Sequence, residues 1–446
     1  MNRFQITVFI ILTVFLSVTF SFVGVIGDRV RVGVFSDPHL LSHSLNPVGE
    51  AFENYMAGDR KLLTLSPQLL ERVVDEFLKS DVEIVIVPGD LTKDGELVSH
   101  LEVASQLERL VDSGRAVYVI PGNHDINNPH AVRYEGSSVS PVETVSPDEF
   151  EAIYHACGYG SAISRDPHSL SYVVEPASWL RLIAMDTCIY EDNRTIGYPI
   201  TGGRLAEETL GWIIRAIEKG RQKGQLVIGF MHHGIVQHFG LQEIYFGDYL
   251  LDDWNVVADK FADSGMNLVF TGHFHTQDVS MKLSTKGNII YDVQTGSLIT
   301  YPNPYRLVEI NQGGEVFIKS SFIEDLSDYE DFKTYSQSFV KDGIDGLLPG
   351  LLKDQMVKMG FSRGIINSLD RLLNEAYGSQ TLSQHIAAVM SDFYSGDESP
   401  SEEQAQVIQR LKQNLLNPFL LLTGLALDSL SKDSPPPDND LMLTLP

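Results

Sequence analysis

The run Ala116-Val117-Tyr118-Val119-Ile120 passes directly into Pro121-Gly122-Asn123-His124-Asp125. An apolar, β-branched run bounded by Pro and Gly reads as a buried strand, so the Gly-Asn-His-Asp cluster sits in the loop leaving its C-terminal end. Open α/β sheets bind ligands at that edge. An amide, an imidazole and a carboxylate in three successive residues cannot all serve packing. The loop holds something polar.

The same arrangement recurs along the chain. Residues 30–36 form a strand that leads into Asp37-Pro38-His39, and residues 82–87 lead into Pro88-Gly89-Asp90. Residues 226–231 deliver His232-His233, and residues 267–270 deliver Gly272-His273-Phe274-His275. Helical periodicity fills the intervals at residues 66–80, 99–111, 205–219 and 254–261. Strand, helix and strand in alternation predict a parallel sheet. If these strands share one sheet, all five polar clusters lie along its C-terminal edge. Runs near 289–293, 305–310 and 316–320 alternate in polarity and read as closing antiparallel strands. Residues 40–65 are loop-rich and non-repetitive, and we place them on the substrate side.

A chain of 446 residues suggests one large domain and an additional one. The formal charge of −26 repels a polyanion over much of the surface, which argues against a long nucleic-acid groove. A small anionic substrate stays compatible if cations at the site override that field. Residues 1–27 begin with Arg3, continue through an apolar run from Ile6 to Phe22, and end with small residues before Asp28. They read as a cleaved secretory signal or, alternatively, an uncleaved membrane anchor. The remainder is then exported, either secreted or tethered through residues 6–27 to the outer face of the cytoplasmic membrane. Cys157 and Cys188 are the only cysteines, and either a disulfide or two buried thiols suits an exported chain. We expect a catalytic domain over 28–325, a helical C-terminal domain over 326–432, where Leu, Met and Ile recur at helical spacing, and a disordered tail over 433–446 opening on Ser434-Pro435-Pro436-Pro437.

His, Asp and Asn together suit borderline first-row divalent metals such as Mn, Fe or Zn. Two ions fit the number of ligands if one carboxylate serves both. They bring about four positive charges, and Asp37 with Asp90 removes two, so the centre stays attractive to a phosphate. Paired ions about 3.5 to 4 Å apart activate water and clamp the oxygens of an in-line phosphoryl displacement.

Taken in order, Asp37-x-His39, Gly89-Asp90, Gly122-Asn123-His124-Asp125, His232 and Gly272-His273-Phe274-His275 resemble the signature of calcineurin-like metallophosphoesterases. The likeness spans about residues 30–320 and is nearest to class III cyclic-nucleotide phosphodiesterases, several of which add a C-terminal helical domain. The resemblance implies a four-layer αββα sandwich with a helical C-terminal region. It implies one metal on Asp37, His39, Asp90 and His275, and another on Asp90, Asn123, His232 and His273, with Asp90 bridging. His124, oriented by Asp125, would give a proton or hydrogen bond to the leaving oxygen. The expected activity is hydrolysis of small phosphodiesters such as cyclic nucleotides by metal-activated hydroxide. A phosphomonoesterase or nucleotidase on the same centre is the alternative, and a metal-stabilised binding module without turnover is the more distant one. His233 reads equally as a support for the site and as a surface residue. His43, His100, His130, His155, His168, His238 and His385 fall outside any motif and read as surface or capping residues, and Arg133 and Tyr134 as part of a solvated loop, with a substrate contact beyond His124 as the alternative. Oligomeric state is open at this level.

Overall fold

The computed structural model describes residues 27–446 apart from Met359. The expected signal or anchor at residues 1–27 therefore lies outside the described residues, Gly27 excepted. Among those described, no helix is long and apolar enough to cross a membrane.

Two sheets form the centre. The first runs, in spatial order, Asp440–Thr444, Glu315–Phe322, Pro304–Asn311, Arg29–Val34, Ile84–Val87 and Ala116–Val119. The last three strands are mutually parallel, and Pro304–Asn311 pairs antiparallel with Arg29–Val34. The second runs Asp278–Leu283, Ile289–Gln294, Leu268–Thr271, Leu226–Met231, Leu180–Met185, Tyr172–Ala177 and Ser164–Arg165. Its four middle strands from Ile289–Gln294 to Leu180–Met185 are parallel. One hydrophobic core, containing Val32, Ile86 and Tyr118 of the first sheet and Leu182, Ile228 and Phe270 of the second, lies where the sheets face each other.

Helices cover the outer faces. Ser66–Lys79 buries Leu69, Leu70, Val73, Val74 and Phe77 at helical spacing, and the Phe77 ring packs over Gly33 and against Tyr305 of the first sheet. On the far side, Glu207–Gln222 and Trp254–Ser264 place Ile213, Ile217, Val257 and Phe261 against Val227, Met231 and Val269. The layering is αββα, as the resemblance implied. The reading of one shared sheet is corrected. The five strands that carry the polar clusters divide three and two between sheets, because inter-strand pairing is set by contacts that periodicity does not record.

Beyond the sandwich, the helices Phe332–Lys358, Arg363–Leu373, Leu382–Phe393, Glu402–Lys412 and Pro418–Leu430 build a core that also takes in Phe239 and Phe274. The expected disordered tail is overturned in its second half. Asp440–Thr444 joins the edge of the first sheet, in register with Glu315–Phe322. Leu441, Leu443 and Leu445 alternate with polar or exposed residues there, and Leu443 and Leu445 are buried. The Pro-rich stretch ahead of this strand masked a short period-2 signal.

Candidate metal centre

Because the sheets face each other, loops from both meet at one edge. The first sheet supplies Asp37 and His39, Asp90, and Asn123 with His124; the second supplies His232, His273 and His275. All seven expected ligands are buried. Asp37, His39, Asp90 and His275 gather donor atoms within 4.8 Å of one another, and Asp90, His232 and His273 do likewise. Asn123 Oδ1 stands 3.1 Å from His232 Nε2, which adds it to the second group.

The backbone is strained to achieve this. Asp37, His39, Asp90, His273 and His275 all have positive φ, between 37° and 72°. Non-glycine residues avoid that region at a cost of about 1–2 kcal/mol each, and such strain concentrates at functional sites. Glycines permit the close approach. A Cβ on Gly122 would overlap the Asp90 backbone nitrogen and carboxylate, and one on Gly272 would overlap Ser36 and Asp37.

The donor set fits paired cations. His39 Nε2 and His275 Nε2 lie 3.1 Å apart, and Asp37 Oδ1 is 3.4 Å from the latter. Burial, reinforced by the Lys61 charge, holds His39 well below the ordinary imidazole value; burial lowers His275 as well, against the pull of Asp37. Two neutral rings with converging nitrogens beside carboxylates leave lone pairs facing each other, an arrangement that a cation relieves. In the second group, His232 donates Nδ1–H to the Pro88 carbonyl at 2.9 Å, which frees Nε2 as a lone pair. Against the desolvation of burial, Asp90 raises His232 to about 9. A metal held by His232 would displace that proton. Burial and the neighbouring His232 and His233 lower His273.

His124 and Asp125 depart from expectation. The Asp125 carboxylate does not reach the imidazole; it accepts from Gly122 N (2.8 Å), Leu91 N (3.0 Å), Thr92 N (2.9 Å) and Thr92 Oγ1 (2.8 Å). It ties two ligand-bearing loops together. His124 is oriented instead by the Lys93 carbonyl, which accepts from Nδ1 at 2.7 Å, and by Asp94 at 3.2 Å. Asp94 in turn pairs with buried Lys93. No motif marks this pair; the loop that follows Asp90 was its only signal.

Other expectations resolve individually. His233 is buried, with Nδ1 bonded to Thr187 Oγ1 and Nε2 donating to the Thr201 carbonyl, so it supports the site and is not a ligand. His100, His238 and His385 are buried and hydrogen-bonded, contrary to the surface reading, whereas His43, His130, His155 and His168 are exposed. His238 pairs with Asp278 and Asp292, and those acids outweigh burial to raise it to about 10. Arg133 is exposed, while Tyr134 is buried against Phe52. Cys157 and Cys188 are free buried thiols, the second of the two alternatives; Cys188 donates to the Pro121 carbonyl.

No curated protein matches the chain. Among solved structures, it is similar to a dimetal phosphatase from Danio rerio, with 16% identity over 67% of this chain and 98% of that one and a TM-score of 0.49. It is also similar to a purple acid phosphatase from seeds of yellow lupin, Lupinus luteus, with 12% identity over 66% of this chain and 51% of that one and a TM-score of 0.38. The calcineurin-like phosphoesterase family matches residues 30–277, a segment that holds all seven expected ligands and both histidine-rich loops. With more than half its length inside that match, the chain belongs to the calcineurin-like phosphoesterase family.

Proposed function

We propose that this chain is a dinuclear metal-dependent phosphodiesterase that hydrolyses small phosphodiesters. Asp90 carries the reading. Its Oδ1 accepts His124 N–H at 2.9 Å, and its Oδ2 stands 3.5 Å from His39 Nε2 and 3.5 Å from His232 Nε2. A single carboxylate oxygen equidistant from two ligand groups is what a bridged pair of ions requires. When bound, the ions activate water and neutralise charge developing on the phosphoryl oxygens.

The chain's own residues complete the site. His124 has committed Nδ1–H to Lys93, so Nε2–H is the proton available to a leaving oxygen. Burial opposes its charge, yet Asp90 and Asp94 hold its pKa above the ordinary imidazole value. The apolar N-terminal run supports an exported enzyme, secreted or held at the outer face of the cytoplasmic membrane.

The test uses metal-loaded protein with bis(p-nitrophenyl) phosphate, a cyclic nucleotide and p-nitrophenyl phosphate. A higher kcat/KM for a diester is expected. Preference for the monoester would give the site to a phosphomonoesterase or nucleotidase, and no turnover with both metals bound would leave a binding module. In Asp90→Ala, elemental analysis should find both ions lost; full occupancy sinks the bridging role.

A further inference from the structure

Beside the second histidine-rich loop lies a cavity of about 370 Å³, within the usual range of small-ligand sites. Tyr249 and Phe274 form its inner wall. The Tyr249 ring stands 4.6 Å from the His273 imidazole, and Phe274 separates His273 from His275 in the chain. This wall therefore adjoins the metal loop. The opposite wall is built by the helical region, from Leu347, Leu348 and Leu351 of Phe332–Lys358, with Met390 and Tyr394 beside them.

Arg60 and Lys61 also line the cavity. Arg60 is engaged, donating Nε–H to the Tyr394 hydroxyl at 3.0 Å. Lys61 is not. Its side chain is only 10% exposed, and among the described residues its ammonium pairs only with Asp59, at 3.8 Å. An ammonium so loosely paired, on a side chain this enclosed, is free to pair with an anion that enters the cavity. Asp248, whose carbonyl stands 3.3 Å from His273 Nε2, lines the same cavity, so the cavity adjoins the second metal position. His124 itself does not line the cavity.

A phosphodiester carries two ester groups, and only the one that leaves must meet His124. Resting on the diesterase reading above, we propose that the cavity receives the other: the retained ester group is an apolar alkyl or aryl substituent, and Lys61 pairs with a nonbridging phosphoryl oxygen. Water adds to phosphorus, the P–O bond on the His124 side breaks, the leaving oxygen takes a proton, and a phosphomonoester with its apolar group remains. On the side built by Phe332–Lys358, Ile344, Leu347, Leu348 and Leu351 offer an apolar group a surface to cover, while Asp59, Asp248, Asp354 and Lys358 line other parts of the cavity.

The test uses full-length, manganese-loaded protein and methyl, butyl and octyl p-nitrophenyl phosphate, each below its micelle concentration. The expected kcat/KM rises about fourfold for every methylene that enters the cavity. Leu351 lines the wall yet is 48% exposed, so Leu351→Glu spares the core. It should cut the octyl-to-methyl ratio by about tenfold or more. Lys61→Gln should raise KM for all three esters together, more than it lowers kcat. Turnover of the methyl ester with a flat series, or an unchanged ratio in Leu351→Glu, overturns the proposal and leaves the diesterase reading standing. Turnover of p-nitrophenyl phosphate alone overturns both.

Discussion

Asn123, His124 and Asp125 are consecutive, yet each meets a different demand. Asn123 turns its carbonyl oxygen to His232, His124 faces outward with 24% of its side chain exposed, and Asp125 is wholly buried as an acceptor of four donors. Their substitutions should therefore fail differently. His124→Gln should fold with unchanged unfolding temperature and metal content, while hydrolysis of diesters with poor leaving groups slows about 10²–10⁴-fold and p-nitrophenyl esters slow far less. Asp125→Ala leaves buried donors without an acceptor, and unfolding should show a loss of about 3–5 kcal/mol. Equal leaving-group sensitivity in wild type and His124→Gln would remove the proton-donor role. The residue types of the site were legible because strand ends carrying His, Asp and Asn have no packing explanation. The partner of His124 was not: Asp94 reaches it across a loop, and Asp125, the neighbour in sequence, points into the Leu91–Thr92 turn.

At the scale of elements, strands and helices followed from period and punctuation, and their ends agree closely with those read from the chain. Ser66–Lys79 was expected at 66–80 and Leu226–Met231 at 226–231. Which sheet each strand joins was hidden, since hydrogen-bonding partners are remote and strands such as Ile84–Val87 and Leu226–Met231 are buried along their whole length, with no exposed face to mark a side. The loops between them depend on glycine for approach, not only for turning. Gly122 stacks against the Asp90 backbone with no room for a methyl group. Gly122→Ala must move Asp90, whose carboxylate belongs to both ligand groups. Elemental analysis should find both metals lowered together, with hydrolysis reduced in proportion. Loss of one ion alone would show that the two positions tolerate separate displacement of Asp90.

On the scale of the whole molecule, the last residues fasten the helical region to the sandwich. Asp438 accepts from Val279 N at 2.7 Å and from Asp397 N at 2.9 Å, its carbonyl accepts from buried Arg306, and the strand after it extends the first sheet. The neighbourhood is acidic: Asp278, Asp397, Asp433 and Glu398 surround it. Burial, with Asp278, pushes the Asp438 carboxyl up to about 8. The folded chain thus keeps a proton that the unfolded chain releases near pH 4. Stability from that proton is fully present below about pH 4 and is lost as pH rises through about 8. Asp438→Asn cannot titrate. It should lose about 1 kcal/mol at pH 5, because the amide no longer accepts from Asp397 N. Between pH 5 and 8.5 its stability should fall less than that of the wild-type chain, so the two unfolding curves converge. Comparing the pair at each pH cancels the titration of the metal ligands, which both chains share. Curves that stay parallel across this range would mean that Asp438 is ionised throughout, and that Arg306 compensates the acidic cluster more fully than burial opposes it.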